Sequence, residues 1–119
     1  MASRFTELSI DCADPRSLAD FWCQVLGYQV TEKDDEWVQI AQEPGVMPTL
    51  LFVTVPEGKT VKNRLHIDVS PRDREQDEEV ARIEALGARR IDIGQGEVSW
   101  VVMADPEDNE FCVLRTRRP

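Results

Sequence analysis

The chain has a single histidine, His66, and little else that usually marks an active site. It has no glycine-rich phosphate loop, no Ser-His-Asp order and no Cys-His pair with a nucleophile signature. Three cysteines, Cys12, Cys23 and Cys112, stand far apart with no CxxC spacing. That excludes a disulfide framework and a zinc knuckle, and the three read as reduced thiols of a cytosolic, or cytoplasmic, protein. Positive charge is short: 14 Lys and Arg against 23 Asp and Glu leave a formal charge of -9. A nucleic-acid binder needs a basic footprint and an anionic membrane surface attracts one, so neither partner is expected. A local cluster of Arg and Lys can still override the global field and hold an anionic ligand. No apolar run approaches the ~18 residues of a membrane-crossing helix, and the opening residues MASRFTELSIDC lack a signal-peptide apolar centre.

What remains is an ordinary globular composition, 41% hydrophobic and 31% charged over 119 residues. A chain of this size buries about two-thirds of its unfolded surface and needs no disulfide or metal to fold as one domain. Residues 5–11 alternate, with Leu8 and Ile10 on one face and Phe5, Glu7, Ser9 and Asp11 on the other, as in a strand. Asp14-Pro15 is a helix start, a capping carboxylate followed by proline at the first helical position. Leu18, Phe21, Trp22 and Val25 form one apolar stripe, and Gly27 ends the helix at Leu26. Residues 28–33 and 36–41 read as a hairpin turning at Asp34-Asp35, and 49–55 as a further strand.

After a polar connector, 56–63, the order begins again. In the predicted strand 64–69, Leu65, Ile67 and Val69 alternate with Arg64, His66 and Asp68. A helix follows from about Arg74 to Leu86, stopped by Gly87, with Val80, Ile83 and Leu86 inward. Residues 88–93 and 97–104 read as a hairpin through Gly94-Gln95-Gly96, 105–109 as a turn and 110–116 as the last strand. The pattern is one unit written twice, strand, helix, three strands: Ile10-Asp11 answers to Ile67-Asp68, and Leu26-Gly27 to Leu86-Gly87. The expected fold class is α+β, two tandem βαβββ modules at about residues 4–56 and about 63–116, with curved mixed sheets around a shared cavity. Glu7, Ser9, Asp11, Arg64, His66 and Asp68 are expected to line that concave surface.

The paired modules resemble the vicinal oxygen chelate superfamily of glyoxalase I, extradiol dioxygenases and bleomycin-resistance proteins. The stretches that carry the resemblance are IDCADPRSLADFWCQVLGYQV at 10–30, TVKNRLHIDVS at 60–70, LGARRI at 86–91 and SWVVMADPEDNEFCVLR at 99–115. They are most similar to the glyoxalase-like group common in actinobacteria. The resemblance implies four ligand positions in metal-dependent members, which fall here on Phe5, on Leu50 or Leu51, on His66 and on Cys112. Only His66 is a standard ligand, and a catalytic ion needs about three protein donors, so no metal or other cofactor is expected. Glu7 stands on the right face, at a different height, for recruitment.

The resulting expectation is a small-molecule-binding protein of the glyoxalase-like group, metal-independent, a lyase or isomerase with His66 as acid and base. An imidazole exchanges its proton near neutrality. The alternatives are a non-catalytic bleomycin-resistance-type protein that sequesters an aromatic compound, and a metal-dependent lyase or dioxygenase with unusual ligands. Arg64 is a bidentate site for a carboxylate or phosphate, or the ion-pair partner of Asp68 or Glu7. Asp11 and Asp68 are expected to cap backbone N–H groups. Trp37, Trp100, Phe5 and Phe52 are the aromatics expected to stack on a flat ligand, and Trp22 is expected in the core. Family habit implies a homodimer.

Overall fold

The computed structural model describes residues 1–119 and divides into two compact units, Met1–Gly58 and Lys59–Pro119. The first unit contains β1 (Glu7–Cys12), α1 (Pro15–Leu26), β2 (Gln29–Lys33), β3 (Trp37–Ala41) and β4 (Thr49–Thr54). Its sheet has the order β1-β4-β3-β2, with β1 and β4 parallel and the remaining pairs antiparallel. Parallel neighbours need a crossover, which α1 and the β2–β3 hairpin supply.

The local chemistry explains where these elements begin and end. Asp14 accepts the Ser17 N–H at 3.1 Å, Pro15 occupies the first turn, and Gly27 takes the left-handed conformation (φ 71°) that only glycine adopts at no cost. The hairpin turns on Asp34, whose Oδ1 accepts the backbone N–H groups of Glu36 (2.8 Å) and Trp37 (3.1 Å). Along β4, Leu50 and Phe52 are buried while Leu51 and Val53 are half-buried. Registers Phe52–Ile10 and Phe52–Val38 place Leu8, Ile10, Leu50, Phe52, Val38 and Ile40 on one face. The helix packs on β3 and β4. Its stripe, Leu18, Ala19, Phe21, Trp22 and Val25, is buried, and the Phe21 and Trp22 rings meet edge to face at 5.3 Å.

The second unit contains β5 (Ile67–Val69), α2 (Gln76–Leu86), β6 (Arg89–Arg90), β7 (Val101–Ala104) and β8 (Glu110–Val113), in the sheet order β5-β8-β7-β6. Glu75 and Glu78 form a reciprocal capping box at the start of α2. Registers Ile67–Phe111 and Met103–Phe111 place those residues on one face, and Asp68–Cys112 and Val102–Cys112 place Asp68, Cys112, Val102 and Glu110 on the other.

The class is therefore α+β with two mixed four-stranded sheets, as the doubled pattern predicts. The second unit differs in the length of its strands. The expected strand 64–69 shortens to Ile67–Val69, and Leu65 is 78% exposed, not part of an aliphatic face. The backbone before Ile67 forms a loop whose polar groups bond to side chains, so it has no ladder to join. The 88–93 strand shortens to Arg89–Arg90, because Asp92 and Gln95 side chains take the Gly94 and Ile93 N–H groups. The 97–104 strand begins only at Val101, and Trp100 lies outside it.

Candidate functional site

On the first sheet, Glu7, Ser9, Thr49, Leu51, Val53, Trp37 and Gln39 share the face opposite the buried apolar one. Glu7 Oε2 accepts hydrogen bonds from Gln39 Nε2 (2.8 Å) and Thr49 Oγ1 (2.7 Å), and Gln39 Oε1 accepts one from Thr31 Oγ1 (2.8 Å). One polar chain thus crosses all four strands. A carboxylate only accepts, so the Gln39 amide has a single orientation here. The second Glu7 oxygen remains available to a ligand. Trp37 is half-buried beside Val53 on this face, level with Asp11 and further along the sheet than Glu7.

On the second sheet the polar groups gather around His66. Its Nε2 lies 2.9 Å from the Asn63 carbonyl oxygen. A carbonyl cannot donate, so Nε2 carries the proton and the neutral ring has its lone pair at Nδ1. Asn63 is itself held. Its backbone N–H points at both Glu110 oxygens (3.2 and 3.3 Å), and its side-chain amide donates to Asn109 Oδ1 at 3.1 Å. The Asn109 amide donates in turn to the Asp105 carboxylate. Glu110, 6% exposed, also pairs with Lys59 Nζ at 2.9 Å, and Lys59 donates to the Val61 carbonyl at 2.7 Å. A buried carboxylate therefore straps the loop that aims the imidazole.

Burial pushes the Glu110 carboxyl up, but Lys59 and the backbone N–H groups pull harder, and it sits below the ordinary carboxylate range. Its folded value is thus lower than its unfolded one. The stability it contributes is complete above the ordinary carboxylate value of ~4.3 and is lost as pH falls through it towards the folded value. Urea midpoints of wild type and Glu110→Gln should accordingly differ most near neutral pH and converge in acid. A gap that stays constant between neutral pH and strong acid would count against this strap.

Asp68 and Cys112 are register neighbours. Burial, then the charge and hydrogen bond of the Asp68 carboxylate, push the Cys112 thiol up, with Lys62 opposing weakly. The thiol is therefore protonated near neutrality and a poor nucleophile.

The structure brings Asp68 beside Cys112 in the second unit, with His66 in the loop just before that strand, and places Glu7 and Trp37 on one face of the first sheet at different heights. Other expectations are corrected. Phe52 is fully buried on the apolar face, because alternation puts it with Leu50, and no ligand reaches it. Phe5 precedes β1 and is 63% exposed, and Trp100 precedes β7 and is 40% exposed, so neither stands on a strand. Arg64 is exposed and makes no ion pair with Asp68 or Glu7. The Asn63 carbonyl is the partner of His66. The helix caps are Asp14 and Glu75, not Asp11 and Asp68. Lys59, expected in a solvated connector, is bound to Glu110. Sequence reasoning missed Asn63, Glu110, Gln39 and Thr49 as site-forming residues. A signal existed for Glu110, a charge followed directly by Phe111, Cys112 and Val113, which needs a cation to be buried.

A divalent ion would need about three donors around one point. No three His, Cys, Asp or Glu side chains converge in that way. Glu110 is committed to Lys59 and Asn63.

The chain matches the glyoxalase-like domain family over residues 7–114. Comparison with curated proteins finds no match. Among solved structures it is similar to a glyoxalase/bleomycin resistance protein/dioxygenase family enzyme from Burkholderia phytofirmans PsJN, at TM-score 0.72 and 20% identity, covering 93% of this chain and 97% of that one. It is also similar to the fosfomycin resistance protein FosX of Listeria monocytogenes complexed with Mn(II), at TM-score 0.69 and 15% identity, covering 96% and 90%. A third is the trypanothione-dependent glyoxalase I of Leishmania major, at TM-score 0.67 and 15% identity, covering 96% and 87%. At these identities the solved structures speak for the fold, which is common to enzymes of quite different chemistry. With a family match that spans nearly the whole chain, this protein belongs to the glyoxalase-like domain family.

Proposed function

We propose that the protein binds a small molecule bearing an anionic group and acts on it as a lyase or isomerase, without a metal, with His66 as the proton carrier. The observation that carries this reading is the bond from His66 Nε2 to the Asn63 carbonyl. It fixes one tautomer and leaves Nδ1 as the basic atom. In such a reaction Nδ1 takes a proton from a carbon beside the substrate carbonyl, and the imidazolium returns it to a neighbouring carbon or to the leaving group. Arg64 is a guanidinium without an ion-pair partner, and a bidentate contact to a carboxylate or phosphonate would orient the substrate. Metal independence is supported by the donor set, which differs in kind from what a bound Mn(II) would require.

Metal content and chelation test this reading. Purified protein dialysed against Mn(II), then Zn(II), should retain neither in stoichiometric amount, and EDTA should leave ligand binding and turnover unchanged. A stoichiometric ion whose removal abolishes either would overturn it. A second reading, sequestration of an aromatic compound without turnover, is favoured by the half-buried Trp37 on the polar face of the first sheet, the face that also carries Glu7. Its signature is binding that survives loss of His66, with no turnover in either protein. On both readings we expect a homodimer of a cytoplasmic protein.

A further inference from the structure

A separate cleft opens in the first unit, between α1 and the β2–β3 hairpin, with a volume of about 330 Å³. It is distinct from the polar face carrying Glu7, since its floor is Val38, which belongs to the apolar face of the sheet. The volume is at the lower end of those that hold small ligands.

Its chemistry is unusual for this chain. Ala19, Val30 and Val38 give it an apolar wall, and Tyr28 adds an aromatic ring with a hydroxyl. Arg16 on α1 and Lys33 on β2 both line it, and neither has an ion-pair partner. Lining acid is limited to Asp20, whose Oδ2 already accepts Gln24 Nε2 at 3.1 Å. On a chain with 23 acids and 14 bases, this small cleft is lined by two cations without ion-pair partners against one carboxylate, Asp20. The remaining polar wall is Cys23, whose thiol burial and then Asp20 push up, so it is neutral and adds no competing negative charge.

We propose that this cleft is a second ligand site, for a small carboxylate with an aromatic or branched aliphatic body. The carboxylate lies between Arg16 and Lys33, and the apolar body rests on Val38, Ala19 and the Tyr28 ring. No covalent step is involved, and the site does not depend on the chemistry assigned to His66.

The test uses the full chain, 15N-labelled, titrated with benzoate and with its neutral isostere benzamide. Benzoate should shift amide signals within residues 16–38, and benzamide should bind at least about tenfold more weakly, the loss expected when charge-assisted hydrogen bonds are removed. Arg16→Gln combined with Lys33→Gln should weaken benzoate by at least the same factor while the remaining spectrum and the melting temperature stay as in wild type; these exposed side chains have no partner to leave stranded. Val30→Trp, at a position 46% exposed, should block the cleft with both cations intact. The proposal is overturned if benzoate moves no signal in that segment, if benzamide binds equally well, or if the double variant or Val30→Trp binds benzoate as wild type does.

Discussion

Phe52→Ala should cost about 3–5 kcal/mol of folding stability, the range for deleting a fully buried aromatic side chain. Phe52 has no exposed surface and lies in register with Ile10 and Val38 on the face that α1 covers. Removing its ring loses the transfer free energy and leaves a cavity walled by residues fixed in a sheet, which cannot collapse to fill it. The whole domain is expected to have only about 5–15 kcal/mol to lose. The comparison is Trp37→Ala, on the opposite face and already half-buried in the free protein. That change should cost appreciably less stability and should instead weaken an aromatic ligand. Urea denaturation of both variants, with the slope m checked for constancy, separates the two roles. Equal losses of stability would mean that the assignment of faces is wrong.

His66→Ala has the largest expected effect on function. Loss of a positioned general base costs about 100- to 10,000-fold in turnover. Alanine also strands the Asn63 carbonyl, so a purely structural role would look similar. His66→Gln resolves this, because its amide can still donate to that carbonyl but takes up no proton near neutrality. If His66 carries the proton, both variants lose turnover while ligand binding is kept. If His66 only shapes the loop, His66→Gln restores most of the activity. Binding that persists with no turnover even in the wild type selects sequestration.

Much of this architecture can be read from the residues. The repeat is visible because each half must solve the same problem, a strand entering a helix that stops at glycine, and Leu26-Gly27 and Leu86-Gly87 mark both solutions. Period-two alternation assigned Glu7 to the face opposite Leu8 and Ile10, where its hydrogen bonds are found. The same alternation places Phe52, two residues from Leu50, on the apolar face, out of reach of a stacking ligand. The loop before β5 was illegible for a different reason. Arg64, His66 and Asp68 alternate with aliphatics as a strand would, yet the Asn63 backbone binds side chains on both sides, Glu110 through its N–H and His66 through its carbonyl. Pairing of that kind depends on residues far apart in sequence, and periodicity carries no trace of it. The Lys59–Glu110 strap is hidden in the same way, since the two are 51 residues apart.

The state of one imidazole bears most directly on the function assigned here. A long-range 1H–15N correlation spectrum of the His66 ring, recorded near neutral pH before and after an equivalent of Zn(II), reports the protonated nitrogen and any coordination together. Protonation at Nε2, a bare Nδ1 and a spectrum indifferent to zinc are the predicted result. A proton on Nδ1, or a nitrogen signal displaced by tight zinc binding, would contradict it.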